Sequence, residues 1–151
     1  MTDTGSILVD DDNCFACGAG NPAGLKLKFR LNGSEGTAVA ETVIADHFNG
    51  WKGVAHGGII TTLLDEIMVY ACTSKGWFTV TGTIEVRFHK PVPTGALITV
   101  TGRVSENRGR SILAAGTIEL NGKLLASATS TLIPIRYDEN AAASIAERLI
   151  L

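Results

Sequence analysis

Residues 57–74 read as one long helix that is apolar on most of its surface, with Ile59, Ile60, Leu63, Leu64, Ile67, Met68, Val69, Tyr70 and Ala71 distributed around it. A helix of that kind must be enclosed, not laid on a surface. Lys75-Gly76 supplies its stop. The periodic segments on either side carry strand patterns, so only β-sheet is available to enclose it.

The strands can be placed one by one. Leu25-Lys26-Leu27-Lys28-Phe29-Arg30-Leu31 alternates apolar with basic and predicts a half-buried strand. Asn32-Gly33 is a hairpin signal, and Thr37 to Ile44 returns as a second strand. His47 to Gly53 reads as a glycine-containing loop before the helix. After the helix come strands over 78–90, 97–106, 111–120 and 123–135. Pro91–Gly95, Asn107–Arg110 and Asn121-Gly122 separate them. Residues 1–13 read as a loose lead-in. Asp138 can cap a short C-terminal helix over 138–151. The order β-β-helix-β-β-β-β predicts an α+β chain in which a curved antiparallel sheet wraps one central helix, the hotdog architecture.

The 151 residues fit one domain, residues 1–151, and 45% apolar against 19% charged content predicts a folded chain. A formal net charge of −2 with no basic block excludes a nucleic-acid platform. No apolar run approaches the roughly eighteen residues of a membrane span. The polar start, Met1-Thr2-Asp3-Thr4-Gly5, lacks the pattern of a signal peptide. A cytoplasmic protein is expected. Of three cysteines, Cys14 and Cys17 form a C-x-x-C and Cys72 lies in the helix. A closed zinc site takes four ligands, and the chain has no second pair. Cys14 and Cys17 are therefore read as reduced structural thiols, and neither metal nor cofactor is expected.

Chemistry concentrates at Val54-Ala55-His56-Gly57-Gly58, where a glycine-rich loop enters the helix, and at Asp65-Glu66, about two turns on. The first N–H groups of a helix lack intrahelical partners and carry partial positive charge. They suit a polarised carbonyl or a developing oxyanion. A carboxylate in an otherwise apolar run costs free energy unless something uses it. Donor and carboxylate together suggest acyl-transfer hydrolysis.

Three stretches carry a family resemblance. Cys14-Phe15-Ala16-Cys17-Gly18 is followed by Asn21-Pro22-Ala23-Gly24-Leu25. Gly50-Trp51-Lys52-Gly53-Val54-Ala55-His56-Gly57-Gly58 is followed by Leu64-Asp65-Glu66. Thr81 precedes Pro91 by ten residues. The chain thereby resembles the hotdog-fold acyl-CoA thioesterases of the phenylacetate-pathway type, in the branch that opens with the C-F-x-C-G and N-P-x-G-L motifs. The resemblance implies that the Gly57 N–H polarises the thioester carbonyl, with Gly58 beside it. It implies that Asp65 acts as base or nucleophile, that Thr81 orients the water, and that His56 shapes the loop. Many relatives carry an asparagine donor six residues before the histidine. This chain has Gly50 there, with Asn49 beside it.

Spacing adds a constraint. Gly57 and Asp65 are eight positions apart, about 12 Å along a helix, whereas reacting atoms must approach within about 3–3.5 Å. One chain cannot close that gap. Two helices running antiparallel across a two-fold axis can, so a homo-dimer with two interface sites is expected; pairing of dimers into a homo-tetramer is left open.

Other residues carry two readings each. Glu66 is the adjacent rival to Asp65, about 100° round the helix. Arg108, Arg110 and Ser111 form either a solvated hairpin or a contact for coenzyme A phosphates, and Lys90 is a similar candidate. His47 reads as structural and His89 as exposed. Ile59, Leu63, Trp51 and Phe78 are candidates for the acyl wall, which fits small-to-medium or aromatic acyl-CoA. Two alternatives stand beside hydrolysis. A hotdog dehydratase or hydratase is disfavoured by Thr61, which occupies the place of the acid that chemistry requires. A non-catalytic acyl-CoA-binding protein is disfavoured by Asp65.

Overall fold

The computed structural model describes residues 8–137 and 145–150. Helix α1 spans Gly57–Thr73. It packs on a six-stranded antiparallel sheet of order β1-β2-β6-β7-β8-β5. The strands are β1 (Arg30–Asn32), β2 (Thr37–Val43), β5 (Thr79–Phe88), β6 (Leu97–Asn107), β7 (Ile112–Leu120) and β8 (Lys123–Pro134). A small hairpin of β3 (Asn49–Trp51) and β4 (Val54–Ala55) precedes α1. This is the hotdog architecture that the element order predicted.

The sheet buries one face of the helix, while Thr61, Thr62, Asp65, Glu66 and Val69 on the other side stay partly exposed in the single chain. Leu63, Leu64, Ile67, Met68, Ala71 and Cys72 have no exposed surface. They meet Ile98, Val100, Ile112, Ile118 and Leu132 from the sheet in one core. Each such aliphatic side chain contributes about 1.5–3 kcal/mol by leaving water. Gly102 of β6 sets the closest approach. A Cβ there would collide with the Ile67 carbonyl, 2.8 Å from its carbon. The missing side chain is what lets the helix lie down on the strand.

Strand β5 follows the helix in sequence yet takes an edge of the sheet, paired on one side with β8. Its outer side is unpaired among the described residues, and Val80 and Phe88 on the strand are exposed. That edge carries Thr81.

Several local expectations are corrected. The 25–31 strand narrows to Arg30–Asn32. Lys26 adopts φ +51°, which breaks the extended run. Leu27 and Phe29 nevertheless point inward as the alternation required, and the Phe29 ring stacks on Tyr70. The turn after Asn32 spans four residues, not two. Asn32 pairs with Thr37, the Gly36 N–H donates to the Asn32 carbonyl, and Gly36 takes the positive φ. Asn32 Oδ1 accepts from the Ser34 hydroxyl and the Glu35 N–H. Its side chain thus stabilises a wider loop than the dipeptide signal implies. Asn121-Gly122 does form a two-residue turn, with both residues at positive φ between Leu120 and Lys123.

The lead-in is tied down from Leu8 onward. Leu8 bridges Tyr137, and Asp10 and Asp12 clasp Arg148. Asp138 and most of the expected C-terminal helix lie outside the described residues. Residues 145–150 turn back so that Leu149 bridges Phe29.

Candidate active site

His56 sits at the N-cap of α1, in extended backbone with φ −62° and ψ 137°. Its Nδ1 accepts from the Gly58 N–H at 2.8 Å. That bond satisfies one of the orphan donors of the first turn. The Ile59 and Ile60 N–H groups both reach the His56 carbonyl. The Gly57 N–H makes no hydrogen bond among the described residues. Gly57 is exposed, and the Phe88 ring lies 3.6 Å from the position its Cβ would take. Of the two glycines, Gly58 therefore serves the cap, and Gly57 keeps a free donor at the positive end of the helix.

The loop before the helix fixes His56 from behind. Its N–H donates to the Phe48 carbonyl at 2.9 Å. Asn49 pairs with Ala55 across the small hairpin. A Cβ on Gly50 would stand 3.2 Å from His56 Cα and 3.5 Å from its ring. Gly50 thus leaves room for the imidazole and contributes no side-chain donor. His47 packs its ring on Phe48 and is otherwise exposed. Trp51 is 83% exposed at the hairpin tip.

Two turns along the helix, Asp65 Oδ1 accepts from the Thr81 hydroxyl at 2.5 Å. Sequence separates these residues by sixteen positions; the edge strand brings them together because β5 runs beside the helix it follows. Strand register interrupts between Thr81 and Thr83 opposite β8, so Thr81 stands at an irregularity, a feature that re-aims side chains near active sites.

Register also locates the remaining candidates. Thr81 faces Leu132 on β8, and Leu132 faces Ile112 on β7. The turn carrying Arg108, Arg110 and Ser111 immediately precedes Ile112, so it lies at the Thr81 end of the sheet. Arg108 pairs with Glu106 at 3.0 Å, and its N–H donates to the Ser111 carbonyl. Lys90 lies past the opposite end of β5, where Phe88 meets Gly57. One chain therefore holds His56, Gly57, Gly58, Asn49, Gly50 and Lys90 at one end. Asp65, Thr81 and the arginine turn lie at the other.

Three further expectations meet the structure here. Leu63 is fully buried in the core and cannot wall a pocket. His89 is exposed, with Nε2 2.8 Å from the Ser127 hydroxyl. Thr61, the residue weighed against a dehydratase reading, donates its hydroxyl to the Gly57 carbonyl at 2.9 Å.

Glu66 turns away from Thr81. Its Oε1 lies 3.8 Å from Cys14 Sγ. Cys17 Sγ accepts from the Tyr70 hydroxyl and from Arg148 Nη1, each at 3.4 Å. Burial, followed by the neighbouring Cys14, pushes the Glu66 carboxyl up to about 8. The neighbouring Cys17 thiol, helped by backbone N–H groups, brings the Cys14 thiol down, while the same contact drives Cys17 upward. Arg148 holds the Asp10 carboxyl below its usual value. The C-x-x-C is visible in the sequence, but its meeting with Glu66 is not, since Cys14 and Glu66 are 52 positions apart.

Known proteins resemble parts of this chain in sequence and fold. Residues 52–125 match the family described as the thioesterase superfamily. That stretch contains His56, Gly57, Asp65, Thr81 and the arginine turn, and leaves out the cysteine-bearing opening. Acyl-coenzyme A thioesterase THEM4 of Rattus norvegicus is 25% identical over 92 residues. The match covers 61% of this chain and 40% of that protein, so the chain spans well under half the length of the curated relatives it matches. A crystal structure described as a thioesterase superfamily protein superimposes with TM-score 0.77 at 22% identity, over 86% of this chain and 68% of that one. The PaaI protein of the E. coli phenylacetic acid degradation operon superimposes with TM-score 0.64 at 23% identity, over 69% of this chain and 78% of that one. The matched segment, just under half of the chain, is similar to the thioesterase superfamily, and the fold around it is the one these solved structures share.

Proposed function

We propose that the chain hydrolyses the thioester of an acyl-CoA at a site completed by a second copy of itself. The observation that carries this reading is the split along α1. An unspent Gly57 N–H marks one end, and an Asp65 carboxylate already oriented by Thr81 stands about 12 Å away. Neither half can act on one carbonyl with its own partner in the same chain. The unpaired β5 edge supports the pairing. Two β5 strands side by side and antiparallel would set the Thr81 end of one chain against the Phe88 end of the other.

In that arrangement the thioester oxygen accepts from the Gly57 N–H of one copy, with the helix terminus favouring the negative charge that builds there. Asp65 of the other copy takes a proton from water as that water attacks the carbonyl carbon. The carbon–sulfur bond then breaks, the proton passes from Asp65 to the departing thiolate, and free CoA and a carboxylic acid leave, the acid giving its proton to solvent. Thr81 keeps one oxygen of Asp65 engaged and so fixes which oxygen faces the water. Such a donor is worth roughly 10²–10³ in rate, and a positioned base about 10²–10⁴. The arginine turn and Lys90 are assigned to the CoA phosphates. Ile59 and Phe88, apolar and beside Gly57, are assigned to a small-to-medium or aromatic acyl group. THEM4 is named an acyl-coenzyme A thioesterase, which favours the same substrate class. No metal or cofactor takes part.

A thiol-release screen over short, medium, long and aromatic acyl-CoA esters tests the reading, with Asp65→Asn as control. Release of free CoA that depends on Asp65 is the expected result. Normal CoA-ester binding without turnover across the panel would make the chain a binding protein, and an enoyl product would make it a dehydratase.

A further inference from the structure

Cys14 Sγ, Cys17 Sγ and a Glu66 carboxylate oxygen lie within 4.8 Å of one another. In a tetrahedral zinc site with bonds near 2.3 Å, two sulfurs stand roughly 3.8 Å apart. The three groups thus need to close by about an ångström or less to share one ion. The turn that presents the two thiols is already set. The Gly18 N–H donates to the Cys14 carbonyl at 2.8 Å. A Cβ on Gly18 would stand 2.6 Å from the Asp12 carbonyl oxygen and collide with the Cys14 backbone. Only glycine fits behind this C-x-x-C.

The surroundings are those of an outer shell. Tyr70 and Arg148 both aim donors at Cys17 Sγ. Donors of this sort orient metal ligands and tune them. Arg148 does not neutralise the cluster, because its guanidinium is engaged by the Asp10 and Asp12 carboxylates. Among the described residues Arg148 is the cation that reaches this group of two thiols and a carboxyl, and it is shared with Asp10 and Asp12. A cavity of about 140 Å³ opens beside them, lined also by Thr79 and Tyr137. Thr79 Oγ1 is buried there with no hydrogen-bond partner among the described residues.

We propose that Cys14, Cys17 and Glu66 bind one zinc ion, with solvent from this cavity in the fourth position. Two sulfurs and one oxygen suit a borderline thiophilic dication and not calcium or magnesium, which take oxygen shells. The expectation of no metal rested on the lack of a second cysteine pair. The fold supplies Glu66 instead, from the helix. The ion clips the N-terminal segment to α1 at the residue next to Asp65. It is a structural clip and takes no part in the thioester chemistry, so it stands or falls apart from the proposed hydrolysis.

The test uses the full chain, produced without a metal-binding tag and purified without chelator. Elemental analysis is expected to find about one zinc per chain. Protein stripped of metal and titrated with Co²⁺ is expected to show thiolate-to-cobalt charge-transfer absorption at one equivalent. Cys14→Ser and Cys17→Ser should lose that absorption, and Glu66→Gln should weaken zinc binding at least tenfold. If the cysteine variants do not fold, the cobalt titration of the native sequence still decides. Folded, stripped protein without charge-transfer absorption would overturn the proposal. So would unchanged affinity in Glu66→Gln, or a Cys14–Cys17 disulfide in protein isolated without oxidant.

Discussion

Asp65 and Glu66 are adjacent carboxylates on one helix, and the fold gives them opposite surroundings. Asp65 faces the sheet edge and meets a single hydroxyl, Thr81. Glu66 faces the N-terminal segment and meets two thiols beside a buried arginine. About 100° of helical rotation separates them. That angle decides which strand or loop each can reach, and the reached element decides the chemistry. In the proposed hydrolysis Asp65, held by one neutral donor at an open edge, is the base; in the proposed metal site Glu66, enclosed with thiols, shares a cation.

The sharpest way to break this contrast is Asp65→Asn. It removes the base and keeps the shape, and turnover of a cleaved acyl-CoA should fall at least about a hundredfold while CoA-ester binding survives. Activity within a few fold of the parent would mean that Asp65 is not the working carboxylate. On the other face, Asp10→Asn leaves Arg148 with Asp12 alone. The loss of a charged hydrogen-bonding partner should destabilise by about 1.5–3 kcal/mol in a thermal melt. The sign of the pH effect follows from the lowered Asp10 value. The stability from this pair is fully present above the unfolded carboxyl value of 3.8 and is lost as pH falls below that and through the lower folded value. A plot of Tm against pH should steepen there in the parent and flatten in Asp10→Asn; parallel curves would remove the pair from the account.

Smaller effects sharpen the Asp65 side. Thr81→Val removes the bond to Asp65, and kcat should drop by about two- to tenfold, in line with a net hydrogen bond of about 0.5–1.5 kcal/mol. Thr81→Ser should restore most of it. Loss in Thr81→Val without rescue by serine would point to packing instead of orientation. Arg110→Ala is expected to raise KM for CoA esters a few fold with little change in kcat, and an unchanged KM would return that turn to the solvated hairpin.

Legibility from the sequence tracked the range of the interactions. The enclosed helix, its Gly76 stop and the Asn121-Gly122 hairpin rest on local patterns, and they appear where the residues place them. The 25–31 segment misled because alternation reports which side chains face inward, not whether the backbone is paired. Leu27 and Phe29 are buried without a ladder beside them. The Gly57–Asp65 spacing carried the two-ended arrangement, since helix rise is fixed by geometry. What could not be read was Glu66 meeting Cys14 and Cys17, or Arg148 closing onto Asp10 from 138 positions away. Such contacts come from tertiary packing alone.

The claim that Gly57 and Asp65 act in different copies can be tested by mixing subunits. Gly57→Pro deletes the donor N–H at the first helical position, where proline is tolerated, and His56 already has the extended backbone that proline requires before it. Dimers isolated with one Gly57→Pro chain and one Asp65→Asn chain would hold one intact site and one doubly broken site. Such mixed dimers should recover about half of the parent's thioesterase activity, although each variant alone is nearly inactive. Mixed dimers no more active than either variant alone would contradict the shared site.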